Sequence, residues 1–399
     1  MAWLQAGLAA EDRVPWKEIC LVKERMSFLT QVNESDESFA ALCRQHGISR
    51  KTGYKWVNRF EQGQDVSLAN RQPLAASHPC RVPDAVVDLI VAARKEHPYW
   101  GPKKLKAWLE QTRPEQAWPA PSTIGDKLQE HGLVRPRRRR IRVPMSLDPL
   151  APVGAPNETW CVDFKGHFEL GDKTRCYPLT VTDQYSRYLL KCEGLVEPKF
   201  EPVKVQFERV FREFGVPQRI RSDNGPPFAS VAVGGLSKLS VWWIQLGILP
   251  ERIEPGQPQQ NGRHERMHKT LKQETANPPS RSMVEQQRIF DRFRGVFNDE
   301  RPHEALGQKP PSSRYCTSAR ALPSKLEPPA YPTSMKVHRV DASGRLSFFG
   351  TYHQLTSVLA GQSVGLEAID EDTWELFYGP ILLAEMHVRN KRARLERVR

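Results

Sequence analysis

Apolar positions change their spacing several times along the chain, and each change marks a different kind of element. In FAALCRQHGISRKTGYKWVNRF, Phe39, Leu42 and Cys43 recur at helical spacing. Gly47 suits a helix stop, and Ser49 can cap a second helix bearing Tyr54, Trp56 and Val57. This predicts a helix-turn-helix unit over residues 26–72, preceded by an N-terminal extension over 1–25. A motif of that kind lays its second helix in the major groove, which puts Arg50, Lys51 and Lys55 near phosphates or bases. A second helix-turn-helix unit is predicted over 80–134. There VPDAVVDLIVAARKEHPYWGPKKLKAWLEQ reads as two helices around HPYWG, and PAPSTIGDKLQEHGLV as a third with Ser122 as its cap. Lys103, Lys104, Lys106 and Lys127 are phosphate candidates, and Trp100 and Trp108 read as core.

From residue 153 the spacing turns mixed. ETWCVDFKGHFEL and RCYPLTVTDQYSRYLLKCEGL supply three strands, EPVKVQFERVFREFG an amphipathic helix ending at Gly215, and QRIRSD a further strand. LSKLSVWWIQLG and GRHERMHKTLKQE read as helices. Strands first, then helices alternating with short strands, predict a central mixed sheet flanked by helices over 153–318. After the Pro-rich PSKLEPPAYP, short strands with turn signals over 332–392 predict a small β-barrel. The fold class is thus multidomain α/β, with helical units at the N-terminus.

Charge sharpens the picture. The chain carries 59 Lys+Arg against 46 Asp+Glu, a formal net charge of +13, which favours a polyanionic partner through counterion release. An ordinary helical hairpin with a solvated basic face would show the same apolar spacing, and the charge excess favours DNA. RPRRRRIRVP concentrates Arg135, Arg137, Arg138, Arg139, Arg140 and Arg142 around Pro136 and Pro144. Repulsion and proline predict an extended linker over 135–152, an arm along the DNA backbone or minor groove. The seven cysteines are scattered without a C-x-x-C pair, so neither a disulfide framework nor a cysteine zinc site is expected. No apolar run approaches membrane-spanning length, and the N-terminal segment lacks the basic start of a signal peptide. A cytoplasmic, nucleoid-associated protein without a membrane partner is the expectation.

Three carboxylates bring in chemistry: Asp163 in TWCVDFKG, Asp223 in RIRSDNGPPF and Glu265 in NGRHERMHKTLKQE. Gathered within a few ångströms, they could stay ionised only beside cations. Mg²⁺ or Mn²⁺ meets that need, and two such ions per site serve phosphoryl transfer. Asp163 would bridge both ions, with Asp223 completing one site and Glu265 the other. Lys269, four residues beyond Glu265 on the same helix face, could hold a phosphate beside them. His264-Glu265-Arg266-Met267-His268 also spells H-E-x-x-H, a zinc-protease motif, but the cations around it oppose a dication and both helical blocks would be left unexplained. Asp183 and Arg187 read as a structural pair, and His303 as a structural histidine as readily as one near the site.

The residues HPYWGPKKL, TWCVDFKG, LTVTDQYSRYLL, RSDNGPPFAS, the long run GGLSKLSVWWIQLGILPERIEPGQPQQNGRHERMHKTLKQE and FNDERPHEALGQKPPSSRY carry a resemblance. Together they resemble the insertion-sequence transposases with a retroviral-integrase-type core, the DDE polynucleotidyl transferases. The acid triad matches position by position. The resemblance implies an RNase H-like fold that cleaves at the ends of an element and joins their 3′-hydroxyls to target DNA. It implies as partners the terminal inverted repeats, target DNA, and further copies of the chain in a dimer or larger assembly on DNA. It begins at VPWKE, so the residues before Val14 are an extension or reflect an upstream start. The 41 residues between Asp223 and Glu265 exceed the retroviral spacing, and Ala229 to Leu239 is the expected extra loop. The zinc-binding N-terminal module of retroviral integrases has no counterpart. A non-enzymatic DNA-binding regulator or inactive element remnant is the alternative, and the intact triad weighs against it.

Overall fold

A computed structural model describes residues 21–61, 81–134, 153–253, 262–389 and 392–397. The extension before residue 21, the arginine-rich linker with Arg137, Arg138, Arg139 and Arg140, and the segment 254–261 lie outside the described residues. The chain divides into two compact units, Met1–Arg81 and Val82–Arg399.

The first unit is a trihelical cluster: α1 (Leu21–Glu34), α2 (Phe39–Gln45) and α3 (Arg50–Glu61). Ser38 caps α2 through the Ala41 N–H, and Ser49 accepts from the Thr52 N–H at the start of α3. Gly47 makes the turn at φ 64°. Phe28, Leu29, Leu42, Cys43 and Trp56 form the core, and Arg25 and Arg59 lie over the Trp56 ring at 4.0 and 4.9 Å. Arg50, Lys51 and Lys55 stand exposed on α3, as the helix-turn-helix reading requires.

The second unit opens with α4 (Asp84–Glu96), α5 (Pro102–Thr112) and α6 (Pro121–Glu130), packed around Ile90, Trp100, Leu105, Ile124 and Leu128. The cap of α6 is Ala120 with Pro121 at the first helical position, not Ser122; proline presets the helical φ there. This block is seated on the central fold. Lys104 Nζ donates to the Pro302 carbonyl, Gln111 to that of Gln308, and the Arg301 guanidinium lies over Trp100.

The central sheet contains β1 (Thr159–Phe164), β2 (Phe168–Glu169), β3 (Arg175–Asp183), β4 (Leu189–Leu195), β5 (Arg219–Ser222) and β6 (Leu249–Arg252). β1, β3 and β4 pair antiparallel, and β5 and β6 run parallel to β1, giving the expected mixed sheet. The first stretch holds four strands rather than three, because β2 is a two-residue extension the alternation did not mark. On one face lie α7 (Phe200–Phe214) and α8 (Lys238–Gln245). Val203, Phe207, Val210, Phe211 and Phe214 from α7 meet Trp160, Val162, Leu179, Val181 and Trp243 in a single apolar layer. Gly215 ends α7 at φ 74°, where a Cβ would lie 2.6 Å from the Ser318 carbonyl. The other face is covered by α9 (Gly262–Thr275) and α10 (Met283–Gly295), through Met267, Leu271, Phe290 and Phe293. A π-helical turn, Val296–Glu300, follows α10, and Asn298 bonds both the N–H and the carbonyl of Leu189.

The C-terminal region corrects the barrel expectation. β10 (Ser363–Ala368), β11 (Thr373–Tyr378), β12 (Ile381–Arg389), β13 (Arg392–Arg397) and β7 (Lys336–Arg339) form an open antiparallel sheet in the order β13-β12-β11-β10-β7. Among the described residues, β8 (Arg345–Phe348) and β9 (Thr351–Gln354) pair only with each other. Leu346 and Phe348 from this hairpin fill the sheet's apolar side, so the core closes by packing rather than by a ring of strand hydrogen bonds among the described residues. The expected extra loop touches this region: Val233 and Leu236, with Val241 and Ile244 of α8, share one apolar cluster with Leu383 and Leu376. No described helix is long and apolar enough to cross a membrane.

Gly53 is buried in α3, and a Cβ there would lie 2.8 Å from Cys43 Sγ and 2.9 Å from the Phe39 ring. Gly53→Val should therefore overpack the first unit and cost about 1–3 kcal/mol. Hydrogen exchange should accelerate by about 5-fold or more across α1–α3 and stay unchanged in β1–β5.

Candidate active site

The strand pleat and register assemble the site. Successive residues of β1 face opposite sides, so Trp160 and Val162 enter the α7–α8 layer while Cys161 and Asp163 face α9. Asp163 stands directly opposite Thr180 on β3. On the other side β5 runs parallel to β1 with Cys161 level with Arg221, which brings Asp223, just past the end of β5, level with Asp163. Both acids therefore lie at the carboxyl ends of adjacent parallel strands, where α/β sheets present their sites. After Asp223 the chain turns: the carboxylate accepts from the Gly225 N–H at 3.2 Å, and Asn224 donates to the Ile253 carbonyl at 2.7 Å.

Burial pushes the Asp163 carboxyl up to about 7, and the charges of Asp223 and Glu265 push in the same direction, against the Phe164 N–H and Lys165. Asp223 is also raised, chiefly by burial. Asp223 and Glu265 thus lie within electrostatic reach of Asp163. The three sequence-predicted acids do not share one tight ligand cluster. The group whose ligand atoms all fall within 4.8 Å is Asp163, His264 and His268, and Asp223 and Glu265 stand outside it. Glu265 is exposed in the first turn of α9, and Lys269 is exposed one turn on.

The two histidines turn the other way, into the sheet. His264 Nε2 and His268 Nε2 lie 2.7 and 2.6 Å from Thr180 Oγ1, and His264 Nδ1 lies 2.9 Å from Thr182 Oγ1. Burial holds His264 down to about 3 and His268 to about 2, so both are neutral at pH 7. Their Nε2 atoms are thus engaged by threonine, while Glu265 points outward, which is not the arrangement the protease reading of H-E-x-x-H needs. Sequence reasoning missed this network, although TVTD carries its signal: alternate threonines on a strand whose other positions are apolar. Asp183 accepts from the Asn157 and Ser186 N–H groups and the Ser186 hydroxyl, which makes it a turn-holding residue.

The cations expected to meet phosphate occupy different settings. Lys103 is exposed and lies 3.9 Å from Glu304. Lys104 is half-buried against the Pro302 carbonyl, with its ammonium pushed down to about 8 by burial and then by Arg301. Lys106 and Lys127 pair with Glu110 and Glu130 on their own helices. His303 is half-buried, and its Nε2 has no hydrogen-bond partner.

Two integrase core domain profiles match residues 154–258 and 246–311. Residues 154–311 thus match the integrase core domain. A helix-turn-helix profile matches residues 24–73, and a homeodomain-like profile matches 52–128. An uncharacterized 31.7 kDa protein of insertion element IS407 from Burkholderia multivorans is 31% identical over 189 residues, 46% of this chain and 65% of that one. A 39.2 kDa protein of insertion element IS476 from Xanthomonas euvesicatoria is 31% identical over 183 residues, 45% of this chain and 50% of that one. The chain therefore spans 65% and 50% of the length of these two relatives. The HTLV-2 integrase catalytic core aligns over 98% of its length and 41% of this chain, at 15% identity and a TM-score of 0.33, which adds nothing to the strand order described above.

Because the folded Asp163 binds its proton more tightly than the unfolded chain, its contribution to stability is present at low pH and is lost as pH rises from about 4 to about 7. In EDTA at constant ionic strength, wild type and Asp163→Asn should melt close together near pH 4. By pH 8 the variant should be the more stable by a few degrees.

Proposed function

We propose that this chain is a DNA transposase. It binds the terminal inverted repeats of an insertion sequence, cleaves at the element ends and joins the freed 3′-hydroxyls to target DNA. The observation that carries this reading is the crowding of acids around Asp163, whose carboxyl is pushed up to about 7 by burial, Asp223 and Glu265. Such a grouping at the ends of parallel strands is stable as carboxylates only with compensating positive charge.

Asp163, Asp223 and Glu265 would hold two Mg²⁺ (or Mn²⁺) ions, which supply activation of the attacking oxygen and stabilisation of the leaving one. The donor set fits, since hard carboxylate oxygens suit these cations. Lys269, exposed on the Glu265 side of α9, holds a DNA phosphate beside the acids. Arg50, Lys51 and Lys55 on α3 read the element end, and the exposed Lys103 adds a phosphate contact. The half-buried Lys104 serves to seat the α4–α6 block instead. Arg137, Arg138, Arg139 and Arg140 follow the DNA backbone between recognition and catalysis. Two ends must be joined, so two copies or more act together on DNA, in the cytoplasm at the nucleoid.

DNA carrying the element ends, incubated with Mg²⁺, tests the reading. Wild type should cleave and join, and Asp163→Asn, Asp223→Asn or Glu265→Gln should lower the rate by at least about 10³-fold, a barrier increase of about 4 kcal/mol. End binding by gel shift should survive in all three. Tight end binding without cleavage by wild type would identify a DNA-binding regulator or inactive remnant instead.

A further inference from the structure

A cavity of about 470 Å³ opens between α5, the turn after β3, α9 and the segment following the π-helical turn. Its size is that of a small-ligand pocket. Four cations, Lys104, Arg187, Arg266 and Arg301, line it against two acids, Asp183 and Glu304. Arg301 is paired with Glu274 at 2.7 Å, and the Pro302 carbonyl takes one of the three protons of Lys104. His303 lines the same cavity, and its buried Nε2 has no hydrogen-bond partner. Burial, then Lys104, Arg301 and Arg187, hold that ring down to about 3, so it is neutral at pH 7. Its single N–H is engaged by the Phe297 main chain. Nε2 is therefore a bare lone pair inside a cationic cavity.

Such a lone pair calls for a proton donor, and the cations call for negative charge. A phosphodiester brings charge without a donor, and a sugar hydroxyl brings a donor without charge. A phosphomonoester brings both, because it gives up its last proton only near pH 6. We propose that the cavity holds the 5′-phosphate of a cleaved DNA strand, its P–OH donating to His303 Nε2 and its charge met by Arg187 and Lys104. The source of that end rests on the transposase reading. Attack by water at an element end breaks the P–O3′ bond, gives one proton to the 3′-oxygen and leaves the other on the new 5′-phosphate. The cavity is placed to take it, since Thr182 and His264 line it and Thr182 lies about 7 Å along β3 from Thr180, the partner of Asp163.

Fluorescence anisotropy of a short 3′-labelled single strand with the full-length protein in EDTA reads the cavity without metal or catalysis. Wild type should bind the 5′-phosphorylated strand at least about 10-fold more tightly than the same strand ending in a 5′-hydroxyl. Inorganic phosphate should compete that difference away. His303→Asn keeps an N–H for the Phe297 carbonyl and removes Nε2, and Arg187→Gln keeps a donor for the Gln184 carbonyl and removes the charge. Each should abolish most of the preference, while Lys204→Ala, on α7 across the sheet, should leave it whole. Equal binding of the two strands by wild type, or an undiminished preference in His303→Asn, overturns the assignment. Inorganic phosphate bound without a preference between the strands overturns it as well and leaves an adventitious ion only. Should His303→Asn fail to fold by circular dichroism, Arg187→Gln decides on the same terms. A wild type that prefers the phosphorylated strand yet cleaves no element end keeps the cavity and loses the transposase reading. The reverse pattern loses the cavity alone.

Discussion

Side chains on β1 alternate between an apolar layer and a polar one, and the placement of every candidate catalytic group follows from that pleat. Trp160 and Val162 anchor the strand in the layer under α7 and α8, so Asp163 has no freedom to leave the opposite face. Thr180 meets it from β3 in strict register, and the parallel pairing with β5 brings Asp223 to the same level. A slip of one residue would send Asp163 into the aromatic layer and Val162 into the site. The apolar packing on one face is thus what fixes the acids on the other.

Electrostatics then divide α9 into two faces. The inward face carries neutral histidines, since burial keeps His264 and His268 uncharged, and they meet the sheet through threonine hydroxyls. The outward face carries Glu265, Arg266, Lys269 and Lys272, all exposed. One helix therefore supplies uncharged hydrogen-bonding groups beneath Asp163 and charged groups toward solvent, where a polyanion would approach. The buried Arg221–Glu251 pair at 2.6 Å keeps charge compensated between β5 and β6, behind the strand ends.

Much of this was legible in the chain because local rules sufficed. Helical spacing with Gly47 and Ser49 marked the first unit, the amphipathic run ending at Gly215 marked α7, and the three acids stood in contexts that fit strand ends and a basic helix. What escaped depended on contacts distant in sequence. The two-residue β2 exists only through its pairing with β3. The H-E-x-x-H histidines resembled metal ligands in isolation, and only the fold supplies Thr180 and Thr182, about eighty residues earlier, to engage them. Lys104 resembled a phosphate contact because nothing near it in sequence announces Pro302. The barrel expectation failed for a related reason: alternation identifies strands, but whether the last one pairs with the first is decided by the β8–β9 hairpin packing between them.

Val233, Leu236, Val241 and Ile244 belong to the central fold by sequence but to the C-terminal sheet by packing. The two regions consequently share a wall and have no clean seam between them. A reading frame interrupted ahead of β10 would strip that wall and leave a greasy flank beside α8 exposed to water. Nonsense changes late in the gene would thus yield sticky, short-lived product rather than a trimmed protein with its central sheet intact.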